Sequence, residues 1–520
     1  MLVVGGAAFG SFYLFQMLDA RALGESRSPL EALFTHFDLE TLQNSLANLS
    51  QVVAAVLGIA ITVVAIVVQL AATRYTPRVT DLFFRDGTNL TVLGLFASSC
   101  LYTLWVSMTV GKGYLPVRAI GFGIVVVSAS VLVLVPYFSY VFAFLEPERV
   151  IRKLELDALS TALQARRGQS LAQRQEIVLA NLEHLADIAV NAVSQNDRII
   201  ATRACSALGD LVARYLEQKP QTADWFRLTD KLRDNPDFVA LAAESLLDLE
   251  DNRTWLEFKV FRQLHAIFLA ALGNLRDLAP VVAIELRRVA EGAVSTNDRV
   301  ALDLTIKFIN TLLRASLSAR DVRTAYNVLH QYRLLCENML LARLDEEAVQ
   351  CAAHLRYYAQ VAHGMSLGFV TETAAYDLAR LCECAAVASA PVQRRILDHL
   401  LQVDKESETD AQETGLRGVR KAQVKLATFY LERGEEATAR AIWEDMKNER
   451  PERLRSIRDE LLAVTDRYFW EVVDRGLNFD FLEPSRKALL PVFFSWFPAL
   501  DGRRSPSMPG PDPAAVPGAT

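Results

Sequence analysis

Cysteine is scarce in this chain of 520 residues, which has only six, and five of them follow residue 145. So few thiols in a chain of this length exclude a disulfide framework. Basic charge is not in excess, because 55 Lys and Arg residues stand against 61 Asp and Glu residues. That balance excludes nucleic-acid binding driven by bulk positive charge. Alternating strand patterns between turn residues are also missing, so a β-rich fold is not expected.

Motifs for catalysis and cofactors are equally scarce, since the sequence has no Walker loop and no His-Glu-x-x-His pair. The one match to the G-x-S-x-G nucleophile elbow, Gly364–Gly368, lies between segments of helical periodicity. We interpret it as an interhelical loop, because an elbow needs a strand-to-helix turn. Cys351, His354 and His363 lack the fourth ligand and the spacing of a zinc site. We therefore expect no enzyme activity, no metal and no cofactor.

Charge is unevenly distributed along the chain. Residues 1–145 carry 14 charged side chains, whereas residues 146–520 carry 102. The sequence therefore predicts a membrane region, residues 1–146, followed by a conventional helical domain, residues 147–500. The last segment, residues 501–520, has five prolines and few apolar side chains. That composition predicts a disordered tail.

Four uncharged apolar stretches predict four membrane spans, because a bilayer core needs about 20 consecutive apolar residues per helix. The predicted spans cover residues 1–18, 52–72, 90–110 and 119–145. Eight Lys and Arg residues lie in the loop after the second span and in the segment after the fourth, against four in the other two loops. The positive-inside rule then places both termini in the cytoplasm.

The polar residues of the second span fall on one helical face. Gly58, Thr62, Ala65, Gln69 and Thr73 follow one another at steps of three or four residues. Lipid tails offer no hydrogen-bond partner to an amide, so this face must meet protein or water. Two interpretations are open. The face is either a packing interface between membrane helices or the lining of a pore in an oligomer.

Four short segments around the second and third spans are similar to a known family. They are Val67–Ala72 (VVQLAA), Tyr75–Arg78 (YTPR), Phe84–Asp86 (FRD) and Val92–Phe96 (VLGLF). In this order they resemble the bacterial predicted membrane proteins grouped as domain-of-unknown-function family 2254. The resemblance implies an integral membrane protein of bacterial type. We expect it to lie in the bacterial plasma (inner) membrane. The family has no established activity from which that of this chain could be inferred.

Residues 147–500 show apolar periodicity typical of helices almost throughout. The segment Ala192–Arg198 (AVSQNDR) recurs as Ala293–Arg299 (AVSTNDR), and each Asn-Asp pair is predicted to start a helix. Leu426–Pro451 has the spacing of one tetratricopeptide-type hairpin. These features favour an α-solenoid over an irregular all-α domain.

The sequence thus predicts an all-α protein, with a four-span membrane region followed by a cytoplasmic, solenoid-like domain of tetratricopeptide or HEAT type. The favoured function is a membrane-anchored interaction scaffold or sensor, with the lipid bilayer and an unknown cytoplasmic protein as partners. The alternative is a homo-oligomeric channel or transporter with the second span lining the pathway. The last three spans contain no charged residue. This argues against proton coupling but allows a pore lined by hydroxyls and amides. Nucleic acid is not an expected partner.

Overall fold

The structure is a computed structural model in which every regular element of the described residues is helical, so the predicted all-α class is confirmed. The described residues are 14, 39–74, 86–110, 116–144, 146–164, 168–220, 222–404, 410–468, 474–476 and 478–500. The predicted first span, residues 1–18, lies outside them apart from Leu14. The Pro-rich tail, residues 501–520, lies outside them as well.

The chain divides into two compact units, Met1–Leu208 (unit 1) and Gly209–Thr520 (unit 2). The predicted boundary after residue 146 rests on charge composition and stays a prediction. Unit 1 contains three long apolar helices followed by amphipathic ones. The helices of its described residues are α1 (Leu39–Arg74), α2 (Gly87–Thr109), α3 (Val117–Phe144), α4 (Pro147–Leu163), α5 (Leu171–Ser194) and α6 (Arg198–Glu217), the last of which contributes residues to both units.

Four helices of the described residues are long and apolar enough to cross a membrane. Glu40–Leu70, Gly87–Thr109 and Arg118–Phe142 overlap the predicted second, third and fourth spans. The other is Leu171–Ser194, which the charge pattern had placed after the membrane region. In its most apolar segment 61% of the residues are buried, against 22% in each of the other three helices. That burial is typical of a helix enclosed by other helices, which leaves little surface for lipid.

Helix α1 begins at Leu39, well before the predicted start of the span at residue 52. The additional segment is amphipathic, and its apolar side chains join one buried cluster made of Leu42, Leu46, Val106, Val110 and Ile120. Nε2 of Gln43 adds a hydrogen bond to the carbonyl oxygen of Val110 at 2.5 Å. Burial against α2 and α3 therefore extends the helix beyond the length that a bilayer requires.

Most described helices of unit 2 are joined by short turns, and a longer connection lies between residues 463 and 484. Its described α-helices are α7 (Asp230–Arg233), α8 (Pro236–Val239), α9 (Ala243–Asp251), α10 (Trp255–Asn274), α11 (Ala279–Ser295), α12 (Arg299–Ser318), α13 (Val322–Leu341), α14 (Asp345–Gly364), α15 (Gly368–Ala388), α16 (Ala390–Leu401), α17 (Asp410–Glu432), α18 (Glu436–Met446), α19 (Pro451–Ala463), α20 (Pro484–Lys487) and α21 (Leu490–Phe494). A hairpin of α17 and α18 lies where the tetratricopeptide spacing predicted one.

From α10 onward, helices pack against the next helix but one as well as against their neighbours in sequence. One row contains α11, α13, α15 and α17, and the other contains α10, α12, α14 and α16. A glycine allows two helices of one row, α15 and α17, to pack closely. A Cβ on Gly415 of α17 would lie only 2.9 Å from the Cα of Gly368 in α15. The missing side chain at Gly415 therefore sets the spacing of these two helices.

Seven turns between described helices share one backbone geometry, in which a residue with positive φ precedes the next helix. These residues are Asn196, Arg253, Asn297, Arg320, Arg343, Ser366 and Gly434. In the Asn turns the following N–H donates to the carbonyl five residues earlier, from Asp197 to Ala192 at 2.8 Å and from Asp298 to Ala293 at 2.9 Å. Such a bond closes the helix end as a Schellman turn.

The two Asn-Asp turns also start the next helix, as predicted. Oδ1 of Asp197 accepts a hydrogen bond from the backbone N–H of Ile200 at 3.2 Å. Oδ1 of Asp298 accepts one from Ala301 at 3.0 Å. Each aspartate therefore satisfies one of the backbone donors that a helix start leaves unpaired.

Candidate functional site

The predicted polar face of the second span lies on the surface of unit 1. Gly58, Thr62, Ala65 and Gln69 of α1 are exposed, and Thr73 follows one turn later in the same helix. The opposite face is the packed one, with buried side chains at Val53, Ala60, Val64 and Val68. These four residues therefore share one face of α1, and the described residues leave that face uncovered.

Two polar side chains on this face differ in their hydrogen bonding. Oγ1 of Thr62 donates to the carbonyl oxygen of Gly58 at 2.8 Å, which satisfies the hydroxyl within the helix. Gln69 has no hydrogen bond to another described residue. An amide on a membrane helix has to find protein or water. The assignment of this face to packing or to a pore stays a prediction.

A polar cluster that sequence reasoning missed joins α2 to α3 and α4. Asp86 caps α2, accepts a hydrogen bond from the hydroxyl of Tyr140 at 2.5 Å and lies 3.6 Å from Nζ of Lys153. One turn away, the hydroxyl of Tyr137 donates to the buried Asn89. The sequence did contain a signal for this cluster: Asp86 and Asn89 lie three residues apart, and so do Tyr137 and Tyr140. These contacts fasten the end of one membrane helix to its neighbours.

Unit 2 has a cleft of about 410 Å³ between α13, α15, α17 and described residues from the segment 467–486. Its charged lining residues are six basic ones, Arg333, Arg380, Lys425, Arg467, Arg475 and Arg486, and three acidic ones, Asp377, Glu383 and Glu483. Aromatic side chains of Tyr376, Phe479 and Phe481 complete much of the remaining wall. A cleft of this volume is large enough for a small organic molecule.

A buried ion pair builds the wall of the cleft. Arg475 contacts both carboxylate oxygens of Asp377, at 2.6 and 3.2 Å. Nε of Arg333 lies 3.2 Å from the same carboxylate. The guanidinium of Arg475 also lies over the ring of Tyr326, 4.2 Å from its centroid. These contacts tie the segment after α19 to α13 and α15, and the desolvated pair requires both partners.

Lys425 differs from the other basic residues of the cleft. The five arginines each have a carboxylate within ion-pair distance, whereas none of the described carboxylates lies that close to Lys425. Its amine donates instead to the carbonyl oxygen of Phe479 and lies 5.3 Å from the centroid of the Tyr376 ring. Burial lowers the pKa of Lys425 to about 8, because it disfavours the charged form.

An apolar patch borders the cleft. It consists of Leu340, Leu341, Val387 and Phe429, which line a second depression of about 510 Å³. Leu341 is 83% exposed and Val387 is 78% exposed. The depression shares Arg380, Glu383 and Arg486 with the cleft. The patch therefore presents two large apolar side chains beside charged ones.

The residues weighed as catalytic or metal-binding groups lie in and after α14. Nδ1 of His354 lies 2.9 Å from the hydroxyl of Tyr332 and 3.2 Å from Nδ2 of Asn310, within a side-chain network. Among the described residues no group of three His, Cys, Asp or Glu side chains could hold a metal. Ser366 lies in a turn between α14 and α15, so Gly364–Gly368 is the interhelical loop that was predicted.

Comparison with known proteins bears on the N-terminal part of the chain. Residues 1–178 match the family model DUF2254, "Predicted membrane protein". The resemblance carried by Val67–Ala72 and its neighbours is confirmed, and the match continues through α4 into α5. With its apolar helices, the chain is a multi-pass membrane protein.

The other comparisons add no functional information. No curated protein matches the chain. A solved structure titled "Circular tandem repeat protein with novel repeat topology and enhanced subunit contact surfaces" is similar to the chain at 15% identity and a TM-score of 0.34. The match covers 77% of this chain and 85% of that chain. A similarity with this TM-score is too low to support a conclusion about the fold.

Proposed function

We propose that the chain is a membrane-anchored interaction protein whose unit 2 binds a partner protein on the cytoplasmic side of a bacterial inner membrane. The apolar helices of unit 1 hold the protein in the bilayer. The basic residues that flank the predicted spans support the cytoplasmic placement of unit 2. The two rows of helices and their shared turns support a solenoid-like array, an architecture that offers extended surfaces for partners.

The observation that carries this proposal is the exposure of Leu341 and Val387 beside Phe429. Large apolar side chains exposed together are typical of protein interfaces, where a few of them contribute most of the binding energy. Arg380 and Arg486 border the patch and supply the charged rim that such interfaces have. We expect the partner to be a protein segment that inserts apolar side chains between these residues.

Site-specific photocrosslinking tests the partner surface. A photoreactive residue at position 341 or 387 of the membrane-embedded protein should form a discrete crosslinked band with one protein. The same residue at Leu247, which is exposed on α9 of the same unit, should not form that band. A band that forms equally from all three positions, or from none, contradicts the proposal. The substitution Leu341→Asp should abolish the band formed from position 387.

The exposed face of α1 favours a second function. In this alternative the protein is an oligomeric channel, and the α1 helices of the subunits line the pathway. Thr62 and Gln69 supply the hydroxyl and amide that a polar pore requires. Single cysteines at positions 62 and 69 should react with water-soluble thiol reagents, whereas cysteines at the buried Val64 and Val68 should be protected. Equal protection at all four positions contradicts the channel and leaves a dry packing face.

A further inference from the structure

We infer that the cleft of unit 2 is a binding site for a small organic anion, with Lys425 meeting the carboxylate or phosphate of that ligand. The inference goes beyond the proposed partner protein and does not depend on the apolar patch. It rests on the charge of the cleft, on the surroundings of Lys425 and on the aromatic wall beside it.

Basic side chains outnumber acidic ones in the lining of the cleft, six to three. Arg333, Arg475 and Arg486 are paired with buried or half-buried carboxylates of the protein. Arg380 is half-exposed and lies 3.5 Å from Glu337 and 2.9 Å from Glu383. Because the arginines already have carboxylate partners, Lys425 is the basic group of the described lining that an entering anion meets without one.

Lys425 has unused hydrogen-bonding capacity among the described residues. An ammonium group has three N–H donors, and the described residues accept one of them, through the carbonyl oxygen of Phe479. Burying a cation without a carboxylate partner costs stability, and an apolar residue of similar size would avoid that cost. Lys421, one turn earlier, has instead carboxylates at 2.9 Å (Asp480) and 3.3 Å (Glu372). An anionic ligand supplies for Lys425 the partner that Lys421 already has.

An aromatic wall lies beside the amine of Lys425. The rings of Tyr376 and Phe479 stack with centroids 4.7 Å apart and an interplanar angle of 15°. The hydroxyl of Tyr376 donates to Oδ1 of Asp480 at 2.8 Å, so its polar end is already occupied. The wall next to Lys425 is therefore mainly apolar. These surroundings suit an anion carried on an apolar or planar body, within a volume of about 410 Å³.

Titration calorimetry on the full chain in detergent micelles tests the inference with three probes. They are phenyl phosphate, benzoate and the uncharged benzyl alcohol. We expect saturable binding of the two anions at millimolar concentration or below and none of the alcohol. Lys425→Gln should weaken anion binding about ten- to hundredfold, because hydrogen bonds to charged groups contribute about 1.5–3 kcal/mol. Lys447→Gln, on the exposed surface of the same unit, should leave the affinity unchanged.

A fourth probe distinguishes two sources of the same chemistry, a free metabolite and a lipid headgroup. Dihexanoyl phosphatidate presents a phosphate on a soluble lipid. Tighter binding of this lipid than of phenyl phosphate, lost in Lys425→Gln, assigns the site to anionic lipid. The opposite order assigns it to a free anion. Failure of all three anions to bind, or equal binding by Lys425→Gln and Lys447→Gln, overturns the inference. The melting temperature of Lys425→Gln should not fall, which shows that the variant is folded.

Discussion

Asp377 and Arg475 lie 98 residues apart in the sequence and form a two-point ion pair, with nitrogen–oxygen distances of 2.6 and 3.2 Å. Their side chains are only 2% and 5% exposed. Arg475 also donates to the carbonyl oxygen of Tyr326 at 2.7 Å. The pair therefore holds the segment between α19 and α20, whose described residues are not helical, against two long helices. This attachment forms one wall of the cleft.

Arg475→Met should destabilise unit 2 by about 3–5 kcal/mol, because it leaves the Asp377 carboxylate buried with only Arg333 close by. Adding Asp377→Leu to this variant should recover part of the loss. The control Lys307→Met removes an exposed pair with Asp303 and should cost less than about 1 kcal/mol. Urea unfolding followed by Trp fluorescence measures all three variants. Equal losses from Arg475→Met and Lys307→Met would show that the buried pair does not hold the segment.

His330 should make the protein sensitive to acid. Burial and the nearby charges of Arg475, Arg333 and Arg287 together lower its pKa to about 4, and Asp474 opposes them. Nη2 of Arg333 lies 3.1 Å from Nδ1 of His330. The unfolded chain binds the proton at an ordinary pKa near 6.5, so it binds more protons than the folded chain between pH 6.5 and 4. Stability therefore falls as the pH drops through this window.

The variant His330→Gln keeps a hydrogen-bond acceptor for Arg333 and removes the titrating group. We expect its melting temperature to fall less than that of the wild type between pH 6.5 and 4. His399→Gln is the matched control at another partly buried histidine of unit 2, whose pKa is also lowered by burial but less strongly. Parallel melting curves for the wild type and His330→Gln across the window contradict this prediction.

The Asn-Asp turns should contribute to stability through their helix caps. Asp197→Ala removes a cap and should cost about 1 kcal/mol or more while membrane insertion stays intact. Asp298→Ala should cost more than the loss of a cap alone, because Oδ2 of Asp298 also accepts a hydrogen bond from Nζ of Lys219 at 2.8 Å. Lys219 in turn contacts the fully buried Glu257 at 2.7 Å. Thermal melting in detergent measures both variants, and a loss of about 1 kcal/mol or less for Asp298→Ala contradicts the role given to Lys219.

Gly415→Ala should lower the melting temperature by forcing α17 away from α15. The new Cβ would lie 2.9 Å from the backbone of Gly368, a contact that no side-chain rotation relieves. Gly292→Ala in α11 is the control, since a Cβ there meets nothing within 4 Å. The control should be neutral or stabilising by up to about 1 kcal/mol, because alanine favours the helix. A Gly415→Ala variant as stable as the control would show that the two helices are not in close contact.

Sequence periodicity predicted the helical class, three membrane helices and the start of a helix after each Asn-Asp pair. The turns at Arg253, Arg320 and Arg343 could not be predicted, because arginine is not a residue that favours positive φ. The early start of α1 was missed because its extension owes its burial to Val106, Val110 and Ile120 on two other helices. Tertiary packing determines where such a helix begins, and the local sequence pattern carries no information about that packing.

The cleft was also beyond the reach of sequence patterns. Arg333, Asp377, Lys425 and Arg475 come from three helices and a terminal segment, at spacings that match no motif. Each residue alone is typical of a solvated helix face. Only the packing of α15 against α13 and α17 brings them together. The polar face of α1 was visible from sequence because its members belong to a single helix.

In the proposed topology unit 1 anchors the chain and unit 2 faces the cytoplasm. A single cysteine at Lys447, an exposed position of unit 2, tests this topology in a chain whose six native cysteines are replaced. The protein should sediment with membranes, and a membrane-impermeant thiol reagent should label residue 447 only after the inner membrane is opened. Labelling of intact spheroplasts to the same extent as of opened membranes would place residue 447 outside the cytoplasm and contradict this topology.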